Sequence, residues 1–587
     1  ERDKWANKVE FLLSCIGMSV GLGNVWRFPY VVYENGGGAF ILPYILLITF
    51  VGRPMYYLEL ILGQFASNAQ ARAFGGFPLA KGVGWAMVYA CSFISLYYNV
   101  ILGYALLYLY YSFRVTLPWT VCDPAWADEN CYVRKPGMVL CSSLERGLLI
   151  ENYTSLNNVS GLPEHTETSP ASNCTVANQS SPEQFFYKGV LGLSSGLEDM
   201  GSFQSPLVIS LIVSWTCVFL CVFKGIKTSG KIVYLTALGP FFILGIMFFR
   251  GITLEGAGAG LYYYFVPEWK RVLELKVWKN AAEQVFYSLS IAEGMIICFG
   301  GFNEFRNELH KDVVIIAFAD FIVSMLSGVV VFTILGNMAH VLNVPIEHVV
   351  QSGIGLAFIA YPQALSMVPY PQLWSATFFS MLFFLAIDTE FSSVECVVTP
   401  FKDEFPILRK YPSLVSFLVC LAMCVFGMPM ATQGGLYILT LMDTFIGGEM
   451  LPWIGLAEIL TVVFGYGIKR FCADVEFMMG APPSIITRFC WTVTCPVCLV
   501  FIVLAAIISY EPLALGDYVY PLWAQYLGVY SAAMAVQIII GFAIYHFYKC
   551  GYDVHKALLP TKNWGPKDPI ERRDYVEHLR RQGFPHL

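Results

Sequence analysis

Carboxylates recur in or beside the long apolar stretches of this sequence: Glu59, Glu283, Glu293, Asp320, Asp388, Glu390, Glu395 and Glu458, with Arg27 nearly the only base at comparable depth. Hydrolytic chemistry is not what they suggest. The chain has 8 His and holds no HExxH, no G-x-S-x-G and no His/Cys cluster at metal spacing, so a membrane enzyme is disfavoured. A charge at bilayer depth costs at least about 2.5–3.5 kcal/mol, so each acid needs a partner, a cavity or a bound cation. For Glu59, Glu283, Glu395 and Glu458 a structural role at a helix end, or as a protonated acid, is the equal alternative. Two interruptions accompany the acids. Gly17-Met18-Ser19-Val20-Gly21-Leu22-Gly23-Asn24 contains glycines that each weaken a helix by about 1 kcal/mol relative to Ala. Ser290-Ile291-Ala292-Glu293-Gly294 is the second. Freed carbonyls at paired breaks bind Na⁺ and half-helix N-termini bind anionic groups, the pattern of an inverted-repeat transporter.

Membrane helices must position these residues. Of 587 residues only 13% are charged, where soluble chains carry about 25%; 56% are hydrophobic, 16% aromatic, and mean hydropathy is +0.59. The balance of 36 basic and 42 acidic residues, net −6, excludes a strongly basic nucleic-acid binder. Charge-free runs at 11–26, 35–52, 82–113, 206–223, 232–249, 411–430, 489–510 and 518–548 predict spans 1 to 5, 9, 11 and 12. Acid-bearing spans at about 275–302, 312–339, 368–399 and 436–468 bring the expected total to twelve. The expected divisions are 1–8, 9–250, 251–468, 469–548 and a tail at 549–587.

Basic residues set the orientation. Arg72, Lys81, Lys224, Lys227, Lys231, Lys549, Lys556 and Lys562 fall in loops or the tail expected to be cytoplasmic, with both termini. The polar segment before span 1 does not read as a signal peptide, so span 1 is expected to direct insertion. The loop 115–205 then lies outside, and its sequons at Asn152, Asn158, Asn173 and Asn178 predict glycosylation. Cys122, Cys131, Cys141 and Cys174 in that loop permit three pairings, of which Cys122–Cys131 is the shortest and preferred. Cys495-Pro-Val-Cys498 lies within span 11, where packing is a better reading than redox chemistry.

Longer motifs add a resemblance. Asn24-Val25-Trp26-Arg27-Phe28-Pro29-Tyr30, Asn35-Gly36-Gly37-Gly38-Ala39-Phe40, Lys224-Gly225-Ile226-Lys227-Thr228-Ser229-Gly230-Lys231 and Thr253-Leu254-Glu255-Gly256 are specific and widely spaced. With them the chain resembles the neurotransmitter:sodium symporter family, solute carrier family 6, over essentially its whole length. Within that family it looks most like nutrient amino acid carriers of the insect or broad-specificity kind. The resemblance implies an all-α fold of twelve helices, a 5+5 inverted repeat of the bacterial leucine transporter type, unwound first and sixth spans, and Na⁺-driven uptake across the plasma membrane.

The same resemblance implies two sodium sites. One uses Ser19, Asn24, Ser288 and Asp320, where the family usually has Asn at the last position. The other uses Gly17, Val20, Leu385, Asp388 and Thr389. Chloride would lie between Tyr44, Gln284, Ser288 and Ser324, but the nearby Asp320 charge puts chloride dependence in doubt and makes K⁺ tolerance conceivable. At Gly21, where monoamine carriers place Asp, glycine leaves room for a substrate carboxylate, which would meet Leu22, Gly23 and Tyr98. The ammonium would meet Ser19, Tyr287 and Ser290. Met18, Ile94, Glu293, Thr389, Glu390 and Ser393 would line the side-chain subsite. Glu293 and Glu390 depart from the family there, and amino acids with cationic side chains are one expected substrate class. The runner-up is a carrier of neutral amino acids or an osmolyte such as glycine, proline or taurine; a monoamine carrier, or a receptor or channel of this architecture, follows further back. Gates would be Arg27 with Asp443 outside, and Arg2 with Asp403 above Trp5 inside. Accessory partners are not legible.

Overall fold

The structure is a computed structural model and describes residues 3–133, 139–140, 174–175, 179–342, 346, 355–508, 510–561 and 564–584. Arg2, Cys141 and the sequon residues Asn152, Asn158, Asn173 and Asn178 lie outside the described residues, as does the side chain of Cys174.

Among the described residues nine helices are long and apolar enough to cross a membrane; a tenth is the pair Lys8–Ser19 and Gly23–Glu34, bent by 43° at its break. The sixth and eighth expected spans fall short of that test for a physical reason. The sixth is split into Leu275–Ser288 and Met295–Gly300, and the eighth, Pro371–Glu404, carries Asp388, Glu390 and Glu395 in its buried middle. With these two, the helices number twelve. The tenth, Gly435–Met479, runs for 45 residues. A span needs about 20, so its last turns at Ile468–Met479 extend past the bilayer.

Both breaks have local causes. After Ser19 the chain leaves the helical region at Val20, with φ −89° and ψ 81°. A Cβ on Gly21 would lie 2.6 Å from Thr389 Oγ1 and 2.9 Å from the Tyr98 hydroxyl, so any larger residue here must push those side chains aside. In the sixth span Ser290, Ala292 and Gly294 take φ values of 53°, 67° and 81°. For the two L-residues that conformation costs about 1–2 kcal/mol each, so something must hold it. Glu59 in the second span does so, accepting the Ala292 N–H at 2.7 Å through Oε1. Its role is thus at least structural.

Packing around the breaks is close. The third helix, Pro78–Ser112, lies along the eighth. A Cβ on Gly63 would sit 2.0 Å from the Ile297 carbonyl oxygen, which sets the spacing of the second and sixth spans. The loop after the third helix is tied by the Cys122–Cys131 disulfide. An antiparallel hairpin, Ala514–Leu515 with Tyr518–Val519, joins spans 11 and 12.

The segment read as a plain tail folds back instead. Helix Pro569–Arg581 packs on the extended tenth helix, where Tyr575 and Tyr466 donate to Asp474 at 2.7 and 2.6 Å. Trp564 packs on Phe65 with ring centres 5.0 Å apart and the rings tilted by 50°. Trp564, Tyr575 and Leu579 are the buried residues that hold it, and their apolar surface is the sequence signal that a tail reading passes over.

Candidate functional site

The two breaks face each other. Asn24 donates Nδ2 to Ser288 Oγ at 2.9 Å, to Asp320 Oδ1 at 2.7 Å and to Ser324 Oγ at 2.8 Å, while its Oδ1 accepts the Gly21 N–H at 3.0 Å. Ser288 also donates to Asp320 Oδ1, at 2.7 Å. The Tyr44 hydroxyl lies 3.5 Å from Asp320 Oδ2 and 3.4 Å from Ser324 Oγ. Thus Asn24 and Ser288 of the expected first sodium set and Tyr44 and Ser324 of the expected chloride set form one cluster, with the fully buried Asp320 carboxylate at its centre. Gln284 turns elsewhere and donates to the Gly23 carbonyl at 3.1 Å.

A second cluster lies against the first helix of the broken pair. Asp388 is 1% exposed, and among the described residues neither carboxylate oxygen has a hydrogen-bond partner. A Cβ on Gly17 would stand 2.0 Å from Asp388 Oδ2, so the carboxylate presses on bare backbone. Thr389 Oγ1 lies 3.5 Å from the Gly17 carbonyl oxygen and 3.4 Å from that of Leu385. An orphaned carboxylate among carbonyl and hydroxyl oxygens is a set of hard donors that fits an alkali cation.

Between the clusters is a cavity of about 20 Å³, lined by Met18, Ser19, Gly21, Gly23, Asn24, Ile94, Tyr98, Tyr287, Ser288, Ser290, Glu293, Thr389 and Ser393. Leu22 stands behind it and donates its N–H to the Tyr98 hydroxyl at 3.1 Å. Glu390, expected in the lining, is not part of it. Its Oε1 accepts from Ser95 at 2.5 Å, Oε2 has no partner, and the side chain is fully buried between the third and eighth helices. At one residue beyond Thr389 on the same helix it points about 100° away from the cavity, and Ser95 is the partner that sequence reasoning missed.

Access differs on the two sides. Above the cavity a vestibule of about 390 Å³ includes Arg27, Glu283, Tyr287, Asp443 and, from the hairpin, Leu513 to Gly516. Arg27 forms no ion pair with Asp443 among the described residues; its guanidinium lies over the Tyr287 ring at 4.3 Å instead. Below, the path is shut. Trp5 donates Nε1 to the Phe299 carbonyl at 3.2 Å and packs edge-on to Phe299 and Phe302, and Lys8 pairs with Asp312 at 3.0 Å. Asp403 accepts from Arg409 Nη2 and from the Ala69 N–H, both at 3.0 Å.

Facing half-helices around a closed cavity, with carboxylates on the seventh and eighth helices, define a secondary transporter with a central site. The fold agrees. The crystal structure of MhsT in complex with L-phenylalanine aligns with TM-score 0.64 at 20% identity, covering 86% of this chain and 100% of that one. This is the leucine-transporter arrangement of twelve helices in an inverted repeat.

The chain belongs to the sodium:neurotransmitter symporter family, which matches residues 2–550. Among its relatives are sodium- and chloride-dependent glycine transporter 2 of Xenopus laevis, 39% identical over 573 residues, covering 96% of this chain and 72% of that protein. Sodium- and chloride-dependent glycine transporter 1 of Xenopus laevis is 38% identical over 573 residues, covering 96% of this chain and 88% of that protein. The chain is therefore an integral membrane transporter of a sodium-symport family, not an enzyme.

Proposed function

We propose that this protein imports a small neutral α-amino acid, glycine or one of similar size, by sodium-coupled alternating access. The observation that carries the reading is the cavity of about 20 Å³. A single water needs about 10–15 Å³, so the space at the breaks is narrow, and Glu293, Thr389 and Ser393 line it with polar groups where a long apolar side chain would have to go. Its glycine relatives point the same way. The substrate carboxylate meets the Gly23 amide and the Tyr98 hydroxyl, and the ammonium meets the Ser19 and Tyr287 carbonyls and the Ser290 hydroxyl. Sodium at Asp388 with Gly17, Val20, Leu385 and Thr389, and at Asp320 with Ser19, Asn24 and Ser288, supplies the positive charge that both carboxylates lack.

Asp320 places a fixed negative charge among Tyr44, Ser288 and Ser324, so a chloride ion there would face repulsion; uptake proceeds without chloride in this reading. The carrier works in the plasma membrane with both ends cytoplasmic. Binding draws Arg27 from Tyr287 to Asp443 and closes the vestibule; release follows when the Trp5 seal parts. Glu293 favours a second reading, since a carboxylate in the lining would accept the ammonium of lysine or ornithine after the cavity widens. Radiolabelled uptake of an amino acid panel, with Na⁺, K⁺ and Cl⁻ replaced in turn, tests both. Glycine accumulation driven by the Na⁺ gradient supports the first reading, and accumulation of monoamines alone overturns it.

A further inference from the structure

A second and larger cavity, of about 1020 Å³, lies between the tenth, eleventh and twelfth spans, away from the substrate site. Its walls are Ala506, Ile507, Val529, Ala533 and Val536, all apolar. Along the twelfth span it runs from Leu522 to Gln537, about 22 Å at 1.5 Å per residue. That is about half of the roughly 40–45 Å that a bilayer spans with its headgroup regions, the depth of one leaflet with its headgroup. Apolar walls do not hold ordered water, and at this depth the surrounding solvent is lipid.

Apart from Gln537 at the far end, the polar groups of the lining gather toward the hairpin. Glu449 is within electrostatic reach of Lys279 and of Tyr510, the latter at the end where the eleventh span leaves the membrane. Lys279 is already engaged with Glu283 at 3.6 Å, and Glu449 has no ion pair among the described residues, so this end carries an excess of negative charge. Trp453, Tyr510 and Tyr526 present aromatic rings beside it. Acid and aromatic faces together recognise an ammonium group.

We propose that this groove seats one phospholipid of the vestibule-side leaflet whose headgroup ends in an ammonium. Its chains lie against Ala533 and Val536, and its ammonium rests at Glu449 between the rings. The seat adjoins the outer gate through the hairpin: Leu513 to Gly516 face the vestibule, while Val519 to Leu522 face the groove. Tyr520 donates to the Tyr437 carbonyl at 3.0 Å, and Phe445 packs so closely on Gly528 that a Cβ there would meet its ring at 2.2 Å. Phe445 is two residues from Asp443. A seated lipid therefore braces the segment of the tenth span that carries the gate acid.

The site rests on residence in a membrane, not on the substrate assigned above. Native mass spectrometry of the full chain, released from mixtures of phosphatidylethanolamine, phosphatidylglycerol and cholesterol, tests it. One retained phosphatidylethanolamine is expected, with its preference over phosphatidylglycerol falling about tenfold in Glu449→Gln and all retention lost in Ala533→Trp. Should Ala533→Trp not fold, Val529→Trp fills the same groove and is read in the same way. Equal retention of phosphatidylglycerol, displacement by cholesterol, a lipid-free dimer, or retention unchanged by a groove-filling variant overturns the proposal.

Discussion

Asn24 on the first span and Asp320 on the seventh are joined by an amide-to-carboxylate hydrogen bond of 2.7 Å, and Ser288 at the end of the first half of the sixth span donates to the same oxygen. One carboxylate thus ties both broken helices to an unbroken one. A charged acceptor makes such bonds roughly twice as strong as neutral ones, so the meeting point of the breaks is the stiffest part of the site.

Replacing that acid gives the first prediction. Asp320→Asn removes the fixed charge but keeps the hydrogen-bonding shape, leaving Tyr44 and Ser324 free to hold an anion. Chloride replacement is expected to slow wild-type uptake by less than about twofold and the variant by about tenfold, the factor that 1.4 kcal/mol of lost anion binding would give. Uptake in gluconate against chloride medium measures it, and strong chloride dependence of the wild type would overturn the assignment.

At the second cation cluster the decisive contact is steric. A Cβ on Gly17 would lie 2.0 Å from Asp388 Oδ2, so Gly17→Ala must displace the carboxylate. The sodium concentration for half-maximal uptake is expected to rise by about tenfold or more, with folding preserved as judged by surface expression. Unchanged sodium dependence would remove Asp388 from the cation site.

Glu293→Gln separates the two substrate readings. The swap keeps the volume of the lining and deletes only the acid. For a carrier of small neutral amino acids, glycine uptake should change by less than about threefold and lysine should not accumulate in either protein. Lysine uptake in the wild type that vanishes in the variant would make the cationic reading correct.

Outside the membrane, the Lys188 ammonium and the Gln184 amide beside Asp128 hold its carboxyl down, at about 2 against an ordinary 3.8. A depressed acid contributes stability above its unfolded value and loses it as pH falls. The loop around Cys122–Cys131 is therefore expected to loosen between about pH 4 and pH 2, read as faster hydrogen exchange at 181–190, and Asp128→Asn should exchange fast throughout. No pH effect in the wild type would show that the pair does not hold the loop.

Much of this molecule could be read from the chain. Charge-free runs located most spans because lipid excludes charge, and Gly17, Gly21 and Gly23 marked the first break because they weaken a helix. The second break was visible too, but not that non-glycine residues Ser290 and Ala292 would take positive φ there, since this depends on Glu59 reaching across from another helix. Side-chain direction was the main thing hidden. The resemblance placed Glu390 in the pocket, yet its carboxylate bonds Ser95, and no one-dimensional pattern shows which of two neighbours on a helix faces a cavity. Ser288, common to the expected sodium and chloride sets, already tied the two sites together, but that Gln284 would turn to the Gly23 carbonyl was a matter of three-dimensional distance.

The returning helix Pro569–Arg581 has a consequence for the life of the protein. Phe65 and Phe477 both pack on Tyr575, with ring centres 5.4 and 5.3 Å away, and these surfaces can be covered only after the last span has been inserted. Cover for Phe65 and Phe477 is thus supplied by chain that lies beyond the twelfth span, so the inner ends of the second and tenth spans finish packing later than the spans themselves.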